Sequence, residues 1–167
     1  RLYMVTAGAP WNPLKFDANG LRETYGKMFL TLWNTYKFHA DYAALDQFDP
    51  LTSPKGVKAP LDIWIESRLN EVIEETNEHF ASWDFHKAGR CIENFVVNDL
   101  SNWYVRRSRR RLWEESASQD KLACQHSLHH VLSTLCRLIA PISPFMADSM
   151  HRNLVGTSVH LADWPEV

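Results

Sequence analysis

Residues 84–111 of the chain, DFHKAGRCIENFVVNDLSNWYVRRSRRR, decide its fold. Apolar side chains recur here in steps of three and four residues, which is the spacing of one face of an α-helix. The side chains of this face are Ala88, Ile92, Phe95, Val96, Leu100, Trp103 and Tyr104. Asp84 precedes them at the position of an N-cap. The stretch therefore predicts a long amphipathic helix that ends in a run of arginines.

Stripes of the same spacing predict two helices before this one. Asp17 is the expected N-cap of the first, because its carboxylate can accept the free backbone N–H groups of the first turn. The second should start at Asp62, after a loop over residues 46–60 that is marked by prolines. Only Ala81 to Trp83 separate it from the helix that follows, so the two must pack antiparallel.

Two more helices are predicted after the arginine run. A polar break at residues 116–120 precedes the fourth. The fifth should begin at Ser143-Pro144, an N-cap followed by proline at the first helical position, and stop at Gly156. Side chains from different helices are expected to share one core, and they are Ile65, Leu69, Ile92, Phe95, Val131 and Leu135.

The predicted fold class is therefore all-α, an antiparallel bundle of about five helices. Residues 17–167 should form this helical domain. Residues 1–16 are predicted to be an extended arm, because Pro10 and Pro13 disfavour helix at their own and the preceding positions.

Composition excludes several classes of protein. The chain has 167 residues, of which 45% are hydrophobic and 23% charged, so it can bury a core and disorder is not expected. No apolar run is long enough to span a membrane. Three cysteines without paired spacing indicate reduced thiols and a cytosolic protein. The net charge of −2 argues mildly against nucleic-acid binding.

The sequence contains no pattern typical of catalysis. It has no glycine-rich phosphate loop and no nucleophile beside a suitable base. His126, His129 and His130 have helical spacing but no convincing companion ligands, so no metal site is predicted. We expect neither catalytic residues nor a cofactor in this chain.

The arginine run is the sharpest local feature. Guanidinium groups form forked hydrogen bonds to phosphate and stack on bases, and aromatic rings stack unpaired RNA bases. The arginines and their aromatic neighbours are therefore candidate RNA contacts, with two further basic residues of the same predicted helix. This candidate set is Trp103, Tyr104, Arg106, Arg107, Arg109, Arg110, Arg111, Lys87 and Arg90.

A structural alternative remains open at this point. Cations near a helix C-terminus complement the helix dipole. Arg110 with Glu114, and Arg111 with Glu115, could be surface ion pairs. The chain would then be a helical scaffold or protein-interaction domain without RNA contact.

Six segments of the chain are distinctive: RLYM at 1–4, LDIWIESRLN at 61–70, DFHKA at 84–88, DLSNWYVRRSRRR at 99–111, LIAPISPFMA at 138–147 and SVHLADWP at 158–165. In the same order, and over essentially the whole chain, they resemble motifs of the isoleucyl- and valyl-tRNA synthetases of class I. Residues 1–4 resemble the stretch just after the K-M-S-K-S loop of that family, and Leu32-Trp33-Asn34 resembles the L-W-N of its next helix. The arginine-rich run resembles the isoleucyl branch, since valyl enzymes more often have C-D-W-Y around the tryptophan. Asp148 departs by one place from the usual glutamate, and no role is assigned to it.

The resemblance implies the anticodon-binding domain of an isoleucyl-tRNA synthetase, with a valyl enzyme as the alternative. Its partners would be the anticodon stem-loop of tRNA(Ile) and the parent's catalytic domain in cis, in the cytoplasm. The parent would join isoleucine to tRNA with ATP. The H-I-G-H and K-M-S-K-S motifs that handle ATP are not in these residues, so this chain alone is expected to bind tRNA without catalysis.

Overall fold

Helices make up the computed structural model, which describes residues 1–9, 11–116 and 118–167; no strand occurs among them. Two π-helical segments, Tyr25–Phe29 and Phe95–Val105, join successive α-helices, and a short 3-10 turn covers Val159–Leu161. The α-helices are α1 (Leu2–Thr6), α2 (Ala18–Thr24), α3 (Leu30–Leu45), α4 (Pro60–Ala81), α5 (Phe85–Asn94), α6 (Arg106–Leu112), α7 (Gln119–Ile139) and α8 (Pro144–Val155).

The predicted all-α fold is confirmed. Helical dihedral angles continue through both π-helical segments, so α2 with α3, and α5 with α6, form two continuous rods. These two rods, α4, α7 and α8 are the five predicted helices. None of the helices in the described part of the chain is both long and apolar enough to cross a membrane.

Three helix ends lie where the sequence predicted them. Asp17 caps α2 as predicted, accepting hydrogen bonds from the backbone N–H groups of Asn19 and Gly20. Gly156 ends α8 with a φ of 85°, a left-handed conformation that glycine adopts without steric penalty. Asp84 stands at the N-cap of α5, but its carboxylate forms no cap bond and pairs with Lys87 instead.

The predicted start of the second helix was wrong by two residues. The helix α4 begins at Pro60, and Asp62 lies within its first turn. The Asp62 carboxylate accepts a hydrogen bond from the backbone N–H of Ala59 at 2.9 Å. Proline at the first helical position needs no hydrogen-bond partner for its nitrogen, which is why the helix can start there.

Residues 1–16 were predicted to be an extended arm, but within them Leu2–Thr6 form a helix. Leu2 and Tyr3 are buried, and Thr6 packs against α5 at Gly89, where a Cβ would lie 2.7 Å from the threonine methyl group. Arg90 strengthens this contact by donating from Nε to the Thr6 carbonyl oxygen at 3.0 Å. Apolar packing on α5 thus makes the segment helical, while residues 11–17 have no helix.

The described part of the chain does not include Pro10, which belongs to the predicted arm, or Ala117, which belongs to the predicted polar break. The division of the chain at residue 17 stays a prediction.

The predicted core is confirmed. Its six members belong to one cluster of buried side chains, and none is more than 1% exposed. They come from α4, the α5–α6 rod and α7, which pack side by side. The arginines at the end of the rod therefore project from a rigid, well-packed base.

Candidate nucleic-acid interface

The helix α6 turns one side toward the core and presents arginines on the other. Ser108 and Leu112 form its buried side. The exposed side chains are Arg106, Arg107, Arg109 and Arg110. Four guanidinium groups thus share one short helix without burial, which concentrates positive charge at this end of the rod.

A tryptophan in front of these arginines is exposed and stacked. The Arg107 guanidinium carbon lies 3.7 Å from the centroid of the Trp103 ring, and 46% of Trp103 is exposed. Trp64, on α4, lies next to Trp103 with a distance of 6.4 Å between ring centroids. We call these three residues the Trp103–Arg107 platform. It offers an aromatic ring for base stacking and a guanidinium whose N–H groups can bind phosphate.

Arg111, one of the candidate RNA contacts, is bound between two carboxylates. Its Nη1 and Nη2 donate to the Asp62 oxygens at 2.8 and 2.6 Å, and its Nε donates to Asp120 at 2.7 Å. Only 14% of the side chain is exposed. Burial alone would lower the pKa of Arg111, but the hydrogen bonds to both carboxylates outweigh it and raise the pKa. The guanidinium stays charged, and its N–H groups are directed mainly to these two carboxylates.

Tyr104, another of the candidate RNA contacts, lies in the core. It is fully buried, and its hydroxyl donates to Asp62 at 2.6 Å. Burial, with the nearby Cys124 and the Asp62 carboxylate, raises the pKa of Tyr104 well above its ordinary value, so the hydroxyl remains a donor. Of the two neighbouring aromatics, Trp103 faces outward and Tyr104 faces the core.

Lys87 and Arg90 lie away from the platform. Twenty residues separate Lys87 from Arg107 along one rod, a distance of about 30 Å at the rise of an α-helix. Lys87 pairs with Asp84, and Arg90 holds α1 through Thr6. These two residues were proposed from charge alone, and the fold does not bring them to the arginines of α6.

The ion pairs of the structural alternative do not form within the described residues: neither Arg110 with Glu114 nor Arg111 with Glu115 is among their salt bridges. Glu114 instead accepts a hydrogen bond from Ser118 at 2.8 Å. The exposed arginines of α6 are therefore not neutralised by the glutamates that follow them in sequence.

Acidic side chains limit the positive region on α4. Arg68 forms ion pairs with Asp99 and Glu71, so its charge is compensated within the fold. Beyond it, the exposed carboxylates continue along the helix at Glu74 and Glu78. An anionic ligand would be repelled there, which confines it to the N-terminal part of α4 beside the platform.

Sequence reasoning missed the importance of Asp62. The residue is fully buried, and its neighbours Arg111 and Tyr104 come from distant parts of the chain. Burial alone would raise the pKa of Asp62, but the hydrogen bonds from Arg111 and Tyr104 outweigh it and lower the pKa. Its motif position was visible in the sequence, whereas its partners depend on how α4 packs against α6.

Asp148 also has a role that the sequence did not reveal. It accepts hydrogen bonds from the Ser158 hydroxyl at 2.5 Å, the Val159 backbone N–H at 3.0 Å and Arg152 at 2.7 Å. The Ser158 and Arg152 bonds lower its pKa to about 2, so the carboxylate is charged. It fastens the C-terminal segment to α8.

The described residues hold no group of three or more side chains arranged to bind a metal ion. The three cysteines are unpaired; Cys124 and Cys136 are buried, and Cys91 is half-buried.

A helical bundle that displays a stacked tryptophan–arginine pair among exposed arginines has the features of an RNA-binding domain. Comparison with known families agrees with this class. The family described as the anticodon-binding domain of tRNA ligase matches residues 62–167. The chain belongs to this family.

Its relatives include isoleucine–tRNA ligases from bacteria and archaea. The chain is 46% identical to that of Porphyromonas gingivalis, with 99% of this chain and 15% of the relative covered. It is 42% identical to that of Bacteroides fragilis, with 99% and 15% covered, and 39% identical to that of Methanothrix thermoacetophila, with 99% and 16% covered. The chain thus spans about 15% of the length of these curated relatives.

Proposed function

We propose that this chain is the anticodon-binding module of an isoleucine–tRNA ligase and that it holds the anticodon stem-loop of tRNA(Ile). Membership in the anticodon-binding family supports binding to tRNA. The relatives are isoleucine–tRNA ligases, which supports isoleucine as the amino acid. The observation that carries the proposal is the exposed Trp103 ring with the Arg107 guanidinium stacked on it.

The division of labour between these groups follows from their chemistry. Trp103 stacks an unpaired base of the loop, since ring faces accept any base. Arg106, Arg107 and Arg110 bind the phosphates around it. Arg111 takes no part in contact and holds α6 in place through Asp62.

The parent protein supplies the catalytic step. We propose that isoleucine is activated with ATP in a catalytic domain of the same polypeptide, in the cytoplasm. This chain binds the tRNA, and its binding orients the acceptor end of the tRNA toward that domain. It holds no cofactor of its own in this account.

The test is a binding titration with transcribed tRNA(Ile) and tRNA(Val) at several salt concentrations. The wild-type chain should bind tRNA(Ile) more tightly than tRNA(Val), and its affinity should fall as salt rises because bound phosphates release counterions. A tRNA(Val) transcript that carries the isoleucine anticodon is the matched control, and it should bind like tRNA(Ile).

Two results would contradict the proposal. Absence of binding to either tRNA at low salt would leave a helical scaffold as the function. Equal binding to all three transcripts would show that the chain does not distinguish the anticodon of isoleucine tRNA.

A further inference from the structure

A second feature of the surface lies on the other flank of α4. A cavity of about 350 Å³ opens between the loop over residues 46–59, the start of α4 and α7. This volume falls within the range of about 300–1,000 Å³ that small ligands occupy in proteins. We call it the histidine–lysine cavity, and its principal lining residues are Lys55, Lys58, His126, His129, His130 and Ser133.

The walls of this cavity are fixed by tertiary contacts. Gly56 lies so close to α7 that a Cβ there would be 1.8 Å from the Gln119 carbonyl oxygen. His126 Nε2 lies 3.2 Å from the carbonyl oxygens of Ser53 and Pro54, which ties the loop to α7 a second time. The cavity is therefore built into the fold.

The chemistry of the walls suits a nucleotide. Lys55 has no ion-pair partner within the described residues, and Lys58 pairs with Glu66. Partial burial lowers the pKa of His129, so its ring is neutral at pH 7, and the side chain of His130 beside it is exposed. Both rings line the cavity and can stack with a base. The uncompensated amino group of Lys55 for a phosphate and flat rings for a base thus line one space.

The geometry of α4 relates this cavity to the platform. Ile65 faces the core and is fully buried. At 3.6 residues per turn, Trp64 and Glu66 then lie on opposite flanks of the helix. Trp64 packs on Trp103 of the platform, and Glu66 lines the cavity. The two features are separated by the width of one helix, about 10–12 Å, which a single RNA strand crosses within a few nucleotides.

We propose that the histidine–lysine cavity binds one unpaired nucleotide of the RNA that lies on the Trp103–Arg107 platform. This inference rests on the proposed function. The base packs against His129 and His130, and the phosphate meets Lys55. The strand passes over the outward side of α4 at Ile63, which is 58% exposed.

Two variants test the cavity by different means. Lys55→Gln with Lys58→Gln removes both cavity amines, and Ser133→Phe fills the cavity without a change of charge. Lys37→Gln removes a lysine charge from α3, outside the cavity, and is the control. Denaturation midpoints show whether each variant is folded.

Binding of transcribed tRNA(Ile) is measured against salt, and the imidazole resonances of the wild type are followed by NMR. The double lysine variant should lose about 0.7 from the slope of log affinity against log salt, since the cavity holds one phosphate and each single-strand phosphate contact contributes about 0.7. Ser133→Phe should weaken binding several-fold. The His129 and His130 resonances should shift on addition of tRNA, and Lys37→Gln should bind like the wild type.

The binding experiments distinguish a failure of the cavity proposal from a failure of the proposed function. If both cavity variants bind like the wild type while substitution of the α6 arginines abolishes binding, the cavity proposal is overturned and the function stands. If AMP shifts the histidine resonances and tRNA does not, the cavity is a site for free nucleotides and the proposal is again overturned. If the wild type binds no tRNA, both proposals fall together.

Discussion

Asp62 is a fully buried carboxylate, and Arg111 is the cation that balances its charge. Removing one partner of a buried ion pair leaves the other charged and desolvated, which costs about 3–5 kcal/mol. Arg111→Gln should therefore lower the free energy of unfolding by about that amount in urea denaturation. Arg110→Gln, one residue away but exposed, should change it by no more than about 0.5 kcal/mol. Equal midpoints for the two variants would show that Arg111 does not stabilise the fold.

A pH dependence is expected from His39, which is 2% exposed and lies behind His129. Burial, with a smaller contribution from His129, lowers its pKa to about 3. The unfolded chain binds a proton near pH 6.5 and the folded chain does not. Above about pH 6.5 this histidine is neutral in both states and does not lower the free energy of unfolding. Below that pH the free energy of unfolding falls, by up to about 1.4 kcal/mol per pH unit.

The variant His39→Leu should remove this contribution, because the buried group no longer titrates. Unfolding free energies between pH 4 and 7 should then depend less steeply on pH than in the wild type. His160→Gln, at an exposed histidine, is the control and should keep the wild-type dependence. An unchanged pH dependence in His39→Leu would refute the assignment.

The sequence could not show which arginines are exposed and which one is bound to carboxylates within the fold. Periodicity placed Trp103 and Arg107 one helical turn apart, and they do stack. The same periodicity put Arg111 on the proposed RNA face, since nothing local distinguishes it from Arg110. Its carboxylate partners, Asp62 and Asp120, come from α4 and α7, and only packing of the three helices reveals them.

Among the elements, the long helices were predictable and the short ones were not. A stripe of several apolar positions identifies a rod, and the predicted core followed from such stripes. The helix Leu2–Thr6 is too short for a stripe and depends on contact with Gly89 of α5. Tertiary contact alone decides the conformation of such a segment.

Two glycines offer a matched test of how the elements are held together. Gly56→Ala places a methyl group against the backbone of α7, so the loop over residues 46–59 must shift, and stability should fall by about 1–3 kcal/mol. Gly26 lies in a helical segment with no atom within 4 Å of a built Cβ. Gly26→Ala should therefore stabilise by about 0.5–1 kcal/mol. Urea midpoints that move in the same direction would contradict the close approach at Gly56.

At the scale of the whole molecule, the net charge hides a local concentration of positive charge. The chain carries 18 lysines and arginines against 20 acidic residues, a balance that does not suggest an RNA partner. The fold sorts these charges, with exposed arginines on α6 and carboxylates along the C-terminal part of α4. A polyanion responds to this local distribution more than to the sum.

Whether α6 is the RNA-binding surface can be tested by comparing the wild type with a triple variant. This variant combines Arg106→Gln, Arg107→Gln and Arg110→Gln. Arg111 is left in place because it stabilises the fold. A matched control replaces Lys15, Lys27 and Lys37 by glutamine and makes the same change in net charge. Each protein is titrated with tRNA(Ile) over a range of salt concentrations.

The arginine variant should bind more weakly than the wild type, and its salt dependence should flatten. The slope of log affinity against log salt should fall by about 2, since three contacts are lost at about 0.7 each. The lysine control should keep the wild-type slope, and both variants should keep the wild-type denaturation midpoint within about 1 kcal/mol of stability. Wild-type affinity of the arginine variant at every salt concentration would contradict the assignment of α6 as the RNA-binding surface.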